Sequence, residues 1–433
     1  MARTDLYVII EGKPAGLLSQ DGVGHTSFRY FSDYKGIPMS LRMPVRERAY
    51  DTSDVRPYLQ GLLPDGNDQK RAIGNEFDCV ANDPVALLSR IGLDCAGAVQ
   101  FCPAADGALR DVLMNRGEYV SLSDHEVALR LKSIKEDLPV SWMGENEGWT
   151  LGGMQGKFAL AYHDGAWCSA QGCVPTTHIF KTGVQGFRLQ ALNEYVCMRL
   201  AAACGVDCAD VGYRFFEDEC ALMVSRYDRV VSEGVVSRLH QEDLCQALGF
   251  YPNRKYEEYG GPTTSDVLGL LVGGGSHAAG NLWAFTKQLF FSYLIGAPDA
   301  HAKNYSIVWE SEGSYRLAPM YDVASGMAYD GMREKMHLAM AIGGENRFGH
   351  VTVEALERYV RANDGIAASA MASAGIDCEC ACDLMRQLAH EIPQQLEMVL
   401  REDVPGMSEL RDHLLGPVCQ NCVRALRMLG VTS

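Results

Sequence analysis

The sequence predicts an α+β fold in two lobes, strand-rich in front and helical behind. Three observations carry this. Gly152, Gly153 and Gly156 open a series of short strands that ends at Lys181. Beyond residue 240, apolar residues recur at helical spacing, as in AAGNLWAFTKQLFFSYLIG and CDLMRQLAHEIPQQLEMVLRE. Inside that helical half, residues 292–325 break an apolar run at Gly296 and Pro298 and present Asp299, His301, Lys303 and Asn304 in a polar loop. Two strand-like runs, SIVW and YRLAP, then lead to Asp322.

Residues 1–105 read as a small domain of strands and short helices. LYVIIEGKPAGLL holds two apolar runs around a Glu-Gly-Lys-Pro turn, the pattern of a hairpin. In DPVALLSRIG, Asp83 is placed to cap a helix with Pro84 at its first position and Gly92 near its end. Asp94 and Cys95 could suggest a nucleophile, but no histidine partner is assigned to them, and they read as structural. Residues 106–145 carry many charges and one helix, SDHEVALRLKSI, and read as a connector between domains.

Residues 148–183 are richer. The glycines of LGGMQG precede the strand KFALAYH, Asp164-Gly165 turns it back into AWCSA, and THIFK ends on Lys181. Glycines let backbone N–H groups approach phosphate oxygens, and a lysine adds a point charge. Lys157 competes with Lys181 as the phosphate lysine; Lys181 is preferred because it closes a strand with an apolar inward pattern. RLQALNEYVCMRLAAAC reads as an amphipathic helix closed by Gly205. Its Glu194 either pairs with Lys181 or sits on a solvated helix face. Two strands then run into Ser225-Arg226-Tyr227-Asp228, a segment suited to hold an adenine through its backbone.

The Asp-x₄-Asn spacing of Asp299 and Asn304, then a hairpin, then Asp322, is the order protein kinases use. The first Asp orients the acceptor hydroxyl and takes its proton, and the Asn and later Asp hold Mg²⁺ through oxygen ligands. A lone Asp-x₄-Asn is more often a polar loop capping a helix. The third carboxylate after a hairpin, and the glycine-rich loop and strand lysine upstream, favour the kinase-like reading. It divides the chain into an N-terminal subdomain (1–105), a nucleotide-binding lobe with the glycine-rich loop (106–229) and a helical catalytic lobe (230–433).

Composition bounds the alternatives. The 433 residues are 47% hydrophobic and 22% charged, as in globular proteins. No apolar run reaches the ~18 residues of a spanning helix, and MARTDLYVII lacks a signal-peptide pattern, so a cytoplasmic protein is expected. A net charge of −16 argues against direct DNA binding through a basic surface. HQEDLCQALGF imitates the start of a helix-turn-helix, but YPNRKYEEYGGP after it is no recognition helix. Fifteen cysteines without an export signal read as reduced thiols. Cys378, Cys380 and Cys382, with Cys419 and Cys422, could be drawn as a metal site, yet C-x-C-x-C lacks the usual zinc spacing.

Seven motifs, GLLPDG (61–66), GLDCAGAVQF (92–101), LGGMQGKFAL (151–160), PTTHIFK (175–181), RLHQEDLCQALG (238–249), APDAHAKN (297–304) and LAPMYDVAS (317–325), together resemble the HipA family. These are bacterial serine/threonine kinases that act as toxins of type II toxin–antitoxin modules. The resemblance runs from about residue 29 to 350 in family order. It implies Asp299 as catalytic base and Asn304 and Asp322 as Mg²⁺ ligands. For ATP it implies Gly152, Gly153, Met154, Gln155, Gly156, Lys157 and Lys181, with Tyr227, Asp228, Gln241, His301 and Lys303 near the nucleotide. Family members phosphorylate themselves on a Ser before the glycine-rich loop, and Thr150 stands at that position. Where many relatives have Glu-Arg-Phe-Asp, this chain has Ser225-Arg226-Tyr227-Asp228. The resemblance further implies a protein target among the aminoacyl-tRNA synthetases. It also implies a HipB-like helix-turn-helix antitoxin dimer that carries the kinase to operator DNA, and no membrane partner. Two other readings are a small-molecule kinase, since such enzymes share Asp-x₄-Asn, and a catalytically silent corepressor subunit. The presence of Lys181, Asp299, Asn304 and Asp322 together speaks against the second.

Overall fold

The computed structural model describes residues 3–105, 107–136, 143–144, 146–333, 335–362 and 365–431. The chain divides into two compact units. The first comprises residues 1–184, 214–253 and 308–312, the second 185–213, 254–307 and 313–433.

The first unit is built on two antiparallel sheets. One has the order Thr26–Tyr30, Lys13–Gln20, Thr4–Ile10, Val99–Pro103. The expected N-terminal hairpin turns at Glu11 and Gly12, both with positive φ (49° and 72°), the two-residue turn whose twist matches the strands it joins. The helices Thr52–Gly61 and Pro84–Ile91 cover this sheet. Leu6, Val8, Phe28, Tyr58, Leu88 and Phe101 close into one buried cluster. Asp83 caps the second helix as expected, accepting from the Val85 and Ala86 N–H groups at 3.0 and 3.4 Å.

The other sheet places Gly117–Ser121, Ala166–Gly172, Lys157–His163, His178–Lys181 and Glu219–Ser225 side by side. Its hairpin turns at Asp164 and Gly165, again both at positive φ. Here the expectation for 106–145 needs correction, although 106, 137–142 and 145 lie outside the described residues. The segment is not a connector. Gly117–Ser121 is an edge strand paired with Ala166–Gly172. The helix Asp124–Lys135 lays Val127, Leu131 and Ile134 against Phe158, Phe180 and Phe216. The strand was hidden because an edge strand exposed on both faces has no apolar alternation to read.

Glu242, on the strand Gln241–Asp243, is fully buried. It accepts the Leu41 N–H at 2.9 Å and lies beside Ser40 and Trp309. Burial pushes its carboxyl up from 4.5 to about 8. Because the folded value lies above the unfolded one, the folded state keeps a proton that the unfolded state loses. The contribution of this group to stability is therefore full below pH 4.5 and falls as the pH rises to about 8. Glu242→Gln should remove that slope, worth on the order of 5 kcal/mol across the window. Urea midpoints at pH 5 and pH 8 check this; parallel losses in wild type and variant would contradict it.

The second unit is mainly helical, as expected. Ala278–Ile295 is its buried centre, with Leu282, Phe285, Leu289 and Phe290 fully enclosed. Cys378–Val399 and Met407–Met428 pack on it and on each other. Two departures stand out. His337–Ile342 and Glu345–Arg347 form a hairpin in this half. Gln190–Ala203 is buried almost all round instead of amphipathic, and Glu194 is 0% exposed, which excludes the solvated reading. All fifteen cysteines are free thiols. Among the described residues, no group of three or more His, Cys, Asp or Glu is arranged to hold a metal. Among them, too, no helix is long and apolar enough to cross a membrane.

Candidate active site

In the second unit, the helix Ala278–Ile295 stops because Gly296 adopts a left-handed conformation, φ 68°. The N–H groups of Gly296 and Ala297 close back on Tyr293 and Ser292. The chain is thereby turned into the loop 297–304. The loop is self-braced: the His301 N–H donates to the Asp299 carbonyl and the Asn304 N–H to the His301 carbonyl, both at 2.8 Å. The Asn304 amide nitrogen then donates to the carbonyls of Asp299 at 2.8 Å and Asp322 at 3.3 Å. One side chain thus ties three expected site residues into a single frame. The Asn304 carbonyl oxygen is the other end of this fixed amide.

Asp322 sits at φ 57°, a region that short carboxylate side chains tolerate better than most and that clusters at functional sites. The strip behind it is clamped by Asn193, whose amide exchanges hydrogen bonds with the Ser325 carbonyl (2.7 Å) and N–H (3.2 Å). The Tyr321 hydroxyl donates to the Lys303 carbonyl at 2.9 Å. Lys303 itself is buried. The Asp299 side chain is 62% exposed, with the His301 Nε2 at 3.7 Å from Oδ1. Burial drives the His301 imidazole down to about 4, only partly offset by Asp299, so the ring is neutral at pH 7. Its Nδ1 is buried without a hydrogen-bond partner. Asn304 and Asp322 offer oxygen donors, the set that suits Mg²⁺.

In the first unit, the glycine-rich loop lies against the N-terminal subdomain. The Asp65 N–H donates to the Gly153 carbonyl and the Gln69 amide to the Met154 carbonyl, each at 3.0 Å. Gly153 has φ 100°, and a Cβ there would fall 2.8 Å from the Lys157 ammonium. The glycine therefore makes room for a cation under the loop. A cleft beside it is lined by Thr150, Gly153, Gln155 and Lys157. Gly152 and Gly156 complete the loop on either side. Lys157 and Lys181 are register partners on adjacent strands, and Lys181 is only 4% exposed. Thr150 is 1% exposed and donates its hydroxyl to the Leu62 carbonyl at 2.8 Å.

Beyond the strand Glu219–Ser225, Tyr227 donates its hydroxyl to the Gln241 side-chain oxygen at 2.7 Å, so two residues expected near the nucleotide meet. Asp228 is turned inward. Its carboxylate accepts from Arg226, at 2.9 and 3.1 Å, and from the Gly97 N–H at 2.6 Å. Arg226, Arg229 and Arg238 also converge on Asp94 at 2.9–3.2 Å. Thr176 adds a backbone and a hydroxyl donor to the same carboxylate. Burial alone would raise Asp94. Arg229, Arg226 and Arg238 instead hold it well below the usual carboxylate range. The loop 94–97 grips the segment 226–229 with backbone as well, since the Cys95 carbonyl accepts from both Arg226 and Arg229. Gly97 is required at φ 82°, where a Cβ would lie 2.8 Å from the Gln241 backbone. Ser225 has its hydroxyl 3.2 Å from His178 Nε2.

The expected residues thus gather in two sets. Asp299, His301, Lys303, Asn304 and Asp322 belong to the second unit, and the glycine-rich loop, Lys181, Tyr227, Asp228 and Gln241 to the first. Sequence reasoning missed Asn193, Tyr256 and the partners of Asp94. Tyr256, within the stretch YPNRKYEEYGGP, donates its hydroxyl to Asp299 Oδ1. The sequence signal for Asn193 is a polar residue beside Glu194 in a helix whose other buried positions are mostly apolar.

Comparison with known proteins agrees with this architecture. Residues 149–396 match the HipA-like C-terminal domain and residues 6–102 the HipA N-terminal domain. A putative kinase, Y4mE, from Sinorhizobium fredii is 34% identical over 78% of this chain and 80% of its own length. The serine/threonine-protein kinase toxin HipA of Shewanella oneidensis is 30% identical over 76% of both chains. The solved Shewanella oneidensis MR-1 complex of HipA, HipB and operator DNA contains a chain of the same fold. It matches with a TM-score of 0.79 at 24% identity, over 99% of this chain and 100% of that one. The α+β, kinase-like fold expected from the sequence stands, and the chain belongs to the HipA family of serine/threonine-protein kinase toxins.

Proposed function

We propose that the chain is an ATP- and Mg²⁺-dependent protein kinase that phosphorylates a serine or threonine hydroxyl of an aminoacyl-tRNA synthetase, and also Thr150 of its own chain. The observation that carries this reading is the Asn304 amide bound to the carbonyls of both Asp299 and Asp322, which braces a base and two oxygen donors as one unit. Lys157, Lys181 and the loop 152–157 hold the ATP phosphates, and Tyr227, Asp228 and Gln241 shape the nucleotide's hinge side. His301 and Lys303 support the catalytic loop. Mg²⁺, held by Asn304 and Asp322, would neutralise phosphate charge. Asp299 accepts the proton of the acceptor hydroxyl as its oxygen bonds to the γ-phosphorus. The bond from that phosphorus to the bridging oxygen breaks, and ADP leaves.

The partner proposed is a HipB-like helix-turn-helix dimer. The related Shewanella complex of HipA with HipB and operator DNA supports it, and so does the acidic charge of a chain that would reach DNA only through a basic partner. Cytoplasmic location is part of the same proposal.

Thr150 must leave the Leu62 carbonyl before it can react. Its phosphate, at −1.5 to −2 charge by the usual ~6 second pKa, would then keep the loop from returning beside Lys157 and the ATP phosphates. Mass spectrometry before and after Mg·ATP tests the reading. One phosphate on Thr150, absent from Asp299→Asn, is the expected result. ATP binding without transfer to Thr150 or to any synthetase would favour a small-molecule kinase, and no ATP binding would favour a silent corepressor.

A further inference from the structure

Asp299 is largely exposed, and its Oδ1 oxygen accepts the Tyr256 hydroxyl. The Tyr256 ring stands edge-on to His301, with centroids 5.0 Å apart at 88°, and edge-on to Tyr259 at 6.0 Å. The Lys255 ammonium lies 5.6 Å from its centroid.

The backbone beneath this ring is firmly anchored. The Lys255 carbonyl accepts the Ala302 N–H at 3.2 Å, which fastens the segment to the catalytic loop itself. The Glu257 carboxylate accepts the Ala341 N–H at 2.7 Å. The Gly261 N–H returns to the Tyr256 carbonyl at 2.9 Å, and a Cβ on Gly261 would lie 2.2 Å from the Arg254 carbonyl oxygen, so only glycine closes this turn. Tyr256 therefore has a fixed main chain and one side-chain hydroxyl on the base. Side-chain rotation alone would lift it away.

A hydroxyl that donates to a general base has the geometry of an acceptor about to lose its proton. Resting on the kinase reading above, we propose that Tyr256 is an acceptor-site gate. Its hydroxyl holds the place of the substrate hydroxyl on Asp299 in the free enzyme, keeps water from that oxygen, and gives way to a seated protein serine or threonine. Water in that place would pass its proton to Asp299 while its oxygen bonds to the γ-phosphorus, releasing ADP and inorganic phosphate. The gate suppresses this loss.

Tyr256→Phe keeps the ring contacts and removes the hydroxyl. With full-length protein, Mg·ATP and no protein acceptor, ADP release is measured for wild type, Tyr256→Phe, Asp299→Asn and the double variant. The expected result is about a tenfold rise for Tyr256→Phe, with the KM for ATP unchanged and the double variant back at the level of Asp299→Asn. A merely structural tyrosine would not speed hydrolysis. Hydrolysis by Tyr256→Phe at or below the wild-type rate, with melting temperature and ATP affinity intact, overturns the gate. If Tyr256→Phe melts early, Tyr256→Met is read by the same criterion. Failure of the kinase reading looks different: hydrolysis that Asp299→Asn does not diminish, or no ATP binding in any variant, removes the base and the gate with it. Phosphate found on Tyr256 itself would make it an acceptor and also overturn the gate.

Discussion

Asp299→Asn should slow phosphoryl transfer by about 10²–10⁴-fold, the usual contribution of a general base, while ATP affinity stays unchanged. Asparagine preserves the shape of the side chain and can still accept the Tyr256 hydroxyl through its carbonyl oxygen. The loop does not depend on the carboxylate, because Asn304 and His301 bind the main-chain carbonyl of residue 299. The phosphate-binding candidates Lys157 and Lys181 belong to a different set of elements. Only the capacity to take a proton is removed. Single-turnover transfer to Thr150, followed by mass spectrometry beside a nucleotide-binding titration, separates the effects. A wild-type rate would refute the base assignment. Equal losses of rate and ATP binding would show that residue 299 organises the nucleotide instead.

The largest loss of stability is expected from Asp94→Ala. Asp94 is buried and faces Arg226, Arg229 and Arg238, with Thr176 as a further donor. Truncation would leave three guanidinium groups short of a counter-charge in a site that excludes water. Breaking a buried ion pair in this way costs about 3–5 kcal/mol. Asp228 would remain, so Arg226 and Arg229 keep one partner, and Arg238 loses its carboxylate. Because the folded carboxyl lies below its ordinary 3.8, its contribution is complete above that value and disappears as the pH falls further. Urea unfolding at pH 7 should show the full loss, and the gap between wild type and variant should narrow below about pH 4. Unchanged midpoints would mean that the cluster's attraction only offsets its own desolvation. The hinge residues Arg226 to Asp228 are held by this cluster, so nucleotide affinity should fall together with stability.

Much of the candidate site was legible because its residues stand at short, ordered spacing. Asp299 and Asn304 lie within one loop, and a single glycine, Gly296, both ends the preceding helix and aims that loop. The Asp-Gly and Glu-Gly turns and the Asp83 cap are local signals, satisfied within a few residues. The edge strand Gly117–Ser121 was not legible, since its pairing is set by a partner some fifty residues away and its own residues face solvent. Gln190–Ala203 was misread as amphipathic because its polar residues Asn193 and Glu194 are buried.

By itself, then, the sequence determined the order of strand-rich and helical halves, the turns and caps, the polar loop 297–304 and the family. All of these rest on local periodicity or on residue types at fixed spacing. Tertiary structure alone decided that Asp94 would meet three arginines more than 130 positions away, that Gly97 would seat against Gln241, and that Tyr256 would close on Asp299. Hydrogen bonds and ion pairs of that kind are set by distance in space, and separation along the chain carries no record of them until the core has brought the segments together.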